Sequence, residues 1–469
     1  MSSEHPAVPD GSGEPWEQML RAMLGPGADE AIRELRERGI DPSTMPGLPT
    51  DPVALQQAFS QMQSMLAASG DEPVNWQMAH DLARQQASVE GDPSLTPHQT
   101  RQVLEALTVA ELWLDAATEL PPAAGTPRAW SRAEWVEATL PTWRTLTEPV
   151  ASSLSNALVG TLGGAMGELG GGFGGGFGGD LSGELPGGID ATQLLRRLGS
   201  AVFGLQVGQA AGTLAREVFG TTDIGLPLLA SPTPALVASN VDAFAAGLDA
   251  PVDEVRLFLA LREAAATRLF THVPWLRAHL LAMVETYARG ITIDAEQLEE
   301  AVRSIDPTDT AALQQALSGG VFAPHTTPEQ AAALERLETA LALVEGWVDE
   351  VAAAAAMPHL PHTMALREMI RRRRAAGGPA EHTFSTLVGL ELRPRRLRDA
   401  ATLWALIARE NGTQARDAVW DHPDLLPTSQ DLDDPAGYST RRATAVDEAA
   451  EVDRALAEIL GHDPQDPPL

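Results

Sequence analysis

The chain has 469 residues, an ordinary apolar fraction of 44% and a formal net charge of -31. This acidic balance excludes nucleic acid as a main partner, because phosphate backbones are bound by clustered cations. The chain contains neither Cys nor Lys, which excludes disulfides, thiolate metal ligands, lysine Schiff-base chemistry and a Walker A phosphate loop, so that any metal site would need His, Asp or Glu.

The first 72 residues are rich in Pro, Gly and Asp, and we expect a loosely ordered segment with short helices there. The N-terminus has no basic region followed by an apolar region, so we expect no signal peptide and a cytoplasmic protein. Two uncharged stretches, Pro149–Gly167 and Leu198–Ala215, are long enough to span a bilayer. Small and polar residues dominate both, so we do not expect membrane insertion.

Apolar residues recur at helical spacing along most of the chain, and this pattern predicts an all-α, multi-helix bundle. Pro141 is expected to kink or separate the helix that contains it. The predicted helices are Trp16–Leu24, Ala28–Gly39, Leu55–Leu66, Trp76–Val89, Pro97–Leu120, Glu134–Leu158, Asp190–Val218, Pro234–Leu248, Val252–Phe270, Trp275–Arg289, Ala295–Ser304, Asp309–Leu317, Pro328–Ala356, His362–Ala376, Arg393–Glu410 and Thr444–Leu460.

A glycine-rich segment at residues 160–189 divides this helical pattern. It has no Lys, no fixed phosphate-loop spacing and no preceding strand, so we interpret it as a flexible linker or insertion. It separates an N-terminal helical region, 73–159, from a helical core, 190–436. A C-terminal helix and acidic tail follow at 437–469.

Two of the predicted helices place a carboxylate on an apolar face. Glu263 lies four residues after Leu259, and Glu345 lies four residues after Leu341. A carboxylate facing a core is costly unless it is paired. These two residues therefore either lie at the exposed edges of their stripes or form a polar pocket or an internal salt bridge.

The segment LREAAATRLFTHVPWLRAHL, residues 261–280, resembles the active-site helix of the zincin-like type 2 metallopeptidases of actinobacteria. Proteolytic members of that family carry H-E-x-x-H followed by a VPWL segment. The later LVEGWVDEV, residues 343–351, is similar to their downstream E-G-x-x-D segment. The similarity runs from about residue 73 to about residue 436, and it implies a zincin-like helical core. Some members of this family are labelled hydrolases, and others are associated with the biosynthesis of a deazaflavin coenzyme.

The resemblance also implies roles for individual residues. Arg262 and Ala266 stand where the family has its two zinc-binding histidines, and Glu263 stands at the general-base position. Glu345 stands at the position of the third metal ligand, with Asp349 one turn later. We therefore expect no metal and no cofactor. We predict instead that Arg262 pairs with Glu345 and Asp349 in place of the metal, the alternative being that Arg262 reaches solvent.

Other residues leave two further alternatives open. An atypical zinc site could combine Glu263 and Glu345 with a histidine from elsewhere, and the candidates are His272, His279, His359 and His362. The run Arg371–Arg374 either complements the end of a helix or forms an anion site or docking patch.

These observations predict a zincin-like, noncatalytic binding or scaffold protein that holds a protein or peptide in the former active-site cleft. The alternative is an active zinc-dependent metalloprotease with an atypical metal site.

Overall fold

The computed structural model describes residues 33, 72–170, 184–185, 189–289, 327–376 and 396–459. Several predicted helices lie outside these residues: Trp16–Leu24, Ala28–Gly39 except residue 33, Leu55–Leu66, Ala295–Ser304 and Asp309–Leu317.

The described residues confirm the all-α prediction, since they form twelve helices and only very short strands. The helices are α1 (Trp76–Ala87), α2 (Pro97–Leu114), α3 (Arg132–Gly170), α4 (Ala191–Ala215), α5 (Ala238–Ala246), α6 (Val252–His272), α7 (Pro274–Arg289), α8 (Pro328–Ala356), α9 (Thr363–Ala375), α10 (Leu397–Ala418), α11 (Ser429–Asp433) and α12 (Tyr438–Ile459). The strands are β1 (Arg128–Trp130), β2 (Glu184–Leu185), β3 (Ile189–Asp190) and β4 (Ala235–Val237).

The strands form two small pairs that the sequence pattern does not predict. Strand β1 pairs in parallel with β4, with Ala129 opposite Leu236. Strands β2 and β3 pair antiparallel. With two or three residues each, these strands are too short to show an alternating pattern.

Helix α3 differs from the prediction at Pro141 and at its end. Pro141 and Pro149 lie inside one helix, so Pro141 does not separate two helices. The helix also continues to Gly170, into the glycine-rich segment. Glycine disfavours a helix by only about 1 kcal/mol per residue, so a helix that is already formed can extend through scattered glycines.

The chain divides into two compact units. The first comprises residues 1–78, 151–205 and 292–325, and the second comprises residues 79–150, 206–291 and 326–469. In the first unit, the backbone N–H of Asn75 donates to the carbonyl oxygen of Ser200 at 2.9 Å. A Cβ on Gly204 would lie 2.6 Å from the carbonyl oxygen of Asn75, so this close approach requires glycine.

Helix α6 is the centre of the second unit. From Val255 to Phe270 every residue is buried except Leu257, which is partly exposed. The helix packs against α2, α5, α7, α8, α9 and β4. Apolar side chains and alanines occur on every side of this helix, which agrees with its burial. Every charged side chain in its buried part therefore needs a partner inside the protein.

Each charged residue in the buried part of α6 binds a different neighbouring element. Arg256 pairs with Asp242 of α5, Arg262 with Glu345 of α8, Glu263 with Thr221 and Thr222 of the loop after α4, and Arg268 with Glu111 and Asp115 of α2 and its C-terminal end. These bonds fix both the rotation and the axial position of the helix.

Within the described residues, no helix combines the length and the hydropathy that a bilayer crossing needs.

Arg268 offers a direct test of this arrangement, because its side chain is fully buried. It donates to Glu111, Asp115 and the carbonyl oxygen of Leu120 at 2.7–2.9 Å. Arg268→Leu should lower the free energy of unfolding by about 1–3 kcal/mol, because it removes a fully buried donor from Glu111 and the carbonyl oxygen of Leu120, which are only partly exposed. Urea denaturation measures this change.

The matched control is Arg372→Leu. Arg372 is largely exposed and pairs with Glu368 on the same helix, α9, so its loss should cost less than about 1 kcal/mol. Equal effects of the two substitutions would show that the buried contacts of Arg268 do not hold α6.

Candidate functional site

Helices α6 and α8 bring together the residues that the resemblance singles out. Arg262 Nη2 donates to Glu345 Oε2 at 3.1 Å, and Arg262 Nη1 lies 3.7 Å from Asp349 Oδ1. All three residues are buried, with exposed fractions of 8%, 4% and 1%. The guanidinium therefore lies between the two helices and does not reach solvent. Its role as a replacement for a metal stays a prediction.

Helix α9 adds three arginines to the same carboxylates. Arg374 bonds the second oxygen of Glu345. Arg371 Nη2 donates to Asp349 Oδ2 at 2.6 Å, and Arg367 Nε donates to the same oxygen at 2.8 Å. We call Arg262, Arg367, Arg371, Arg374, Glu345 and Asp349 the arginine–carboxylate cluster.

This contribution of α9 was not predicted, although the sequence carries a signal for it. Arg367, Arg371 and Arg374 are spaced by four and three residues, which places them on one face of a helix. Two members of the Arg371–Arg374 run thus bond buried carboxylates. Arg373 lies elsewhere, 4.2 Å from the ring centroid of Phe219.

Neighbouring carboxylates raise the pKa of two arginines of the cluster, Arg367 and Arg374. Burial alone would lower the pKa of Arg374, but the carboxylates of Glu345 and Asp223 outweigh burial and raise that pKa. The pKa of Arg367 is also raised. Burial alone would lower it, but the carboxylates of Asp349 and Glu350 outweigh the effect of burial. The guanidinium groups of Arg367 and Arg374 therefore remain charged despite their burial.

Glu263 is held by a separate set of contacts. Its Oε1 accepts from the backbone N–H and hydroxyl of Thr221 at 2.9 and 2.6 Å. Its Oε2 accepts from the hydroxyl of Thr222 at 2.7 Å. A Cβ at Gly220 would collide with this carboxylate, so glycine permits the close approach of the loop. These partners of Glu263 were not predicted from the sequence.

The environment of Glu263 acts on its ionisation in two directions. Complete burial raises the pKa of its carboxyl group, while the hydrogen bonds from Thr221 and Thr222 act to lower it. Both oxygens of the carboxylate accept bonds from the protein. The general-base role of Glu263 stays a prediction.

A small cavity lies beside the residues that stand at the motif positions. Its volume is about 30 Å³, and Arg262, Glu263, Ala266 and Glu345 contribute to its lining. Ala266 is on the same face of α6 as Arg262, one turn later. A cavity of this size admits water-sized species but no peptide.

The four histidines considered for an atypical site each have other contacts. His362 Nδ1 lies 3.0 Å from Glu254, and His359 stacks on Trp113 with ring centroids 4.1 Å apart. The ring of His279 packs edge-on against Trp275. His272 Nε2 lies 3.4 Å from the carbonyl oxygen of Pro122. None of these contacts involves the cluster.

Comparisons with known proteins agree with the resemblance in the sequence. A family model described as a zincin-like metallopeptidase matches residues 74–438, which confirms the family prediction. A crystal structure from Chloroflexus aurantiacus, of a protein provisionally described as a hydrolase with a novel fold, is similar with a TM-score of 0.54 and 20% sequence identity. The similarity covers 79% of this chain and 99% of that chain. At this identity it shows the fold alone. No curated protein matches the chain.

The family match corrects one prediction. We expected no cofactor. Zincin-like metallopeptidases normally bind zinc, so the prediction that the chain has no cofactor is wrong.

The residues at the motif position do not themselves fit a zinc ion. Such a site needs three protein ligands and an open position for water. Here α6 offers the guanidinium of Arg262 and the methyl group of Ala266, and the carboxylates of Glu345 and Asp349 already bond arginines. Among the residues that the structure describes, no group of three or more His, Asp or Glu could hold a metal.

Substitution of Glu345 tests whether the cluster is needed for stability. Glu345→Gln keeps the shape of the side chain but leaves the buried guanidinium of Arg262 without its carboxylate. The free energy of unfolding should fall by about 3–5 kcal/mol in urea denaturation.

Glu350→Gln is the control, because Glu350 is partly exposed and its partner, Arg367, keeps its bond to Asp349. We expect a loss below about 1 kcal/mol. If Glu345→Gln is no more damaging than this control, the cluster does not join α6 and α8 energetically.

The pH dependence of a Thr222→Val variant tests the contacts of Glu263. A carboxyl group whose pKa is raised above 4.5 in the folded state contributes stability at low pH that is lost as the pH rises through the raised value. Removing the Thr222 hydroxyl raises this pKa further. The variant should therefore lose about 1–3 kcal/mol at pH 8 and less at pH 4, as measured by urea denaturation.

Thr267→Val is the matched control, since the hydroxyl of Thr267 donates only to the backbone carbonyl of Glu263, at 2.7 Å. Its loss of stability should be equal at both pH values. A Thr222→Val deficit that is constant or smaller at pH 8 would contradict this description of Glu263.

Proposed function

The chain belongs to the zincin-like metallopeptidase family, and we propose that it is a noncatalytic member that acts as a binding or scaffold protein. The arginine–carboxylate cluster takes the place of the hydrolytic centre. The observation that carries this proposal is the 3.1 Å bond from Arg262 to Glu345. That bond joins the helix of the degenerate H-E-x-x-H motif to the helix of the E-G-x-x-D segment.

The chemistry of the exchange supports the proposal. In a metal site, a cation balances the carboxylate of the third ligand. In this chain, Arg262 and Arg374 balance Glu345, and the delocalised guanidinium suits a buried carboxylate better than an ammonium group does. Replacing one cation by another preserves the contact between α6 and α8 without the metal ligands.

The surroundings of Glu263 support the loss of catalysis. A general base must reach the proton that it removes, directly or through one water molecule. Hydrogen bonds from Thr221 and Thr222 reach both oxygens of Glu263. We therefore assign Glu263 a structural role, in which it holds the loop of residues 220–222 against α6.

The small cavity beside the arginine–carboxylate cluster limits the kind of partner that this site can bind. Ligand sites typically have volumes of about 300–1,000 Å³, whereas the cavity at the cluster has about 30 Å³. We propose that the partner is a protein or peptide that binds on the surface around the former catalytic position. The net charge of -31 argues against a nucleic acid partner.

A hydrolysis assay tests the loss of catalysis. The full chain is incubated with zinc and a mixed peptide substrate, and the release of new amino termini is measured. We expect the same background rate from the parent chain and from Glu263→Gln, because no step depends on that carboxylate. Zinc-stimulated turnover that Glu263→Gln abolishes would favour the alternative, an active metalloprotease with an atypical metal site.

The double variant Arg262→His/Ala266→His tests whether α6 and α8 are placed as a zinc site requires. It places two imidazoles four residues apart on α6, opposite Glu345, which is the ligand arrangement of a zinc peptidase. After dialysis against zinc, it should hold one more zinc ion per chain than the parent. If it does not, α6 and α8 are not placed as a metal site requires, and the cluster is not a replacement for one.

A further inference from the structure

A groove much larger than the cavity at the cluster lies between α7 and α8. Its volume is about 640 Å³, within the range of about 300–1,000 Å³ that is typical of ligand sites. Helix α7 supplies one wall, α8 the second, and residues 423–429 the third. Along α8 the lining extends from Ala332 to Leu343. At a helical rise of about 1.5 Å per residue, the groove is therefore about 16 Å long, or three helical turns.

The lining of this groove is apolar where it is buried and carries both charges where it is exposed. Ala333, Ala340 and Leu343 are buried, whereas Glu335 and Arg336 are exposed. Arg336 makes no ion pair with any residue that the structure describes. The chain as a whole has a net charge of -31. An acidic segment therefore meets less repulsion at this groove than at the rest of the surface.

Helix α12 projects from the second unit as an arm. Its first turn is anchored, because Tyr438 is buried. Arg441 donates to Asp431 at 2.9 Å and to Asp434 at 2.7 Å. From residue 443 to residue 456, every side chain that the structure describes is exposed.

The arm carries an apolar stripe that nothing among the described residues covers. Ala445, Val452 and Leu456 follow one another at intervals of seven and four residues, so they lie on one face of α12. Tyr438 lies on the same face, seven residues before Ala445, so the stripe continues the face that anchors the helix. Val452 and Leu456 are 58% and 48% exposed. From Ala445 to Leu456 the stripe is about 16 Å long, which matches the length of the groove.

The charges of the stripe and the groove are complementary. Glu448 lies on one edge of the stripe and Asp453 on the other. Neither makes an ion pair with a described residue, and the same holds for Arg336 beside the groove. An amphipathic helix that lays its apolar face into a groove, with charges at the edges, is a recurrent mode of recognition.

The positions of the arm and the groove favour a second copy of the chain as the partner. No described residue of α12 lines the groove, so the arm does not fill the groove of its own chain. The third wall ends at Ser429 and α12 begins at Tyr438, so arm and groove are neighbours on one unit. A two-fold axis beside them brings each arm to the groove of the other chain. This arrangement closes at two chains, because each chain has one arm and one groove.

We propose that the groove between α7 and α8 binds α12 of a second copy of this chain, so that two chains form a dimer by exchanging their arms. The apolar stripe covers the buried lining of the groove, and Arg336 pairs with an acidic edge of the stripe. The groove shares no lining residue with the cavity at the cluster, so the dimer does not depend on the proposed function.

The molecular mass of the full chain tests the dimer. Light scattering after gel filtration should give twice the 49.7 kDa of one chain. Val452→Asp places a charge in the stripe, and Ala332→Glu places one in the groove at a residue that is exposed. We expect each variant to lose the dimer and to have the mass of one chain, because burying an unpaired charge is costly.

Val446→Asp and Ala331→Glu are the matched controls. Val446 is 59% exposed on another face of α12. Ala331 is exposed on α8 and does not line the groove. Both controls should stay dimeric. A monomeric parent chain would overturn the proposal, whether or not native mass spectrometry finds a bound apolar compound. So would a dimer that neither Val452→Asp nor Ala332→Glu weakens.

Disulfide trapping identifies the occupant of the groove, because the chain has no Cys of its own. Leu456→Cys chains are mixed under mild oxidation with chains that carry Ala332→Cys or Thr428→Cys, on two walls of the groove. We expect a disulfide between the two kinds of chain with at least one of these positions, and none when Val446→Cys replaces Leu456→Cys.

Two results of this trapping would overturn the proposal. Leu456→Cys chains that link only to one another would show that two arms pair directly, and chains that link to neither groove position would show that the arm lies elsewhere. None of these readouts involves hydrolysis, so failure of the dimer leaves the proposed function standing, and failure of the hydrolysis test leaves the dimer standing.

Discussion

The buried ion pair between Arg262 and Glu345 is the interaction on which the rest of the site depends. Forming such a pair contributes little net stability, because removing two charges from water is costly. Breaking it leaves an uncompensated charge in the core, which is far more damaging. The pair therefore acts mainly as a constraint: α6 and α8 must lie where the guanidinium and the carboxylate meet. Arg374 of α9 pairs with the second oxygen of Glu345, so α9 also contacts this carboxylate.

The same constraint applies along the whole of α6. Apolar contacts on all sides of a helix would allow it to rotate or slide in its core with little loss of burial, so the buried charged residues of α6 fix its position. Arg256, Glu263 and Arg268 each bond a different element, in addition to the bond from Arg262 to α8. In a zinc peptidase, part of this ordering comes from the metal. In this protein, we infer that arginines supply this ordering.

The sequence predicted the helices best where local signals were strong. Helix α8 has the predicted bounds, Pro328–Ala356, because Thr327 and Gln330 form a capping box at its start. The pairing of Arg262 with Glu345 was predicted from the family motifs. Helical periodicity alone placed Glu263 and Glu345 on apolar faces but identified no partner for either carboxylate. The threonines that bind Glu263 and the arginines of α9 were missed because loop and helix placement depends on tertiary packing. Strands β1 and β4, three residues each, carry too little pattern to be recognised.

A double-mutant cycle on Arg262 and Glu345 tests the central claim most directly. Arg262→Met, Glu345→Gln and the double variant are compared with the parent chain by urea denaturation. If the pair joins α6 and α8 in place of a metal, the double variant should be more stable than the sum of the single losses predicts, with a coupling of about 1–3 kcal/mol. Single losses that add within about 0.5 kcal/mol would show that the two residues do not interact, and the account would be wrong.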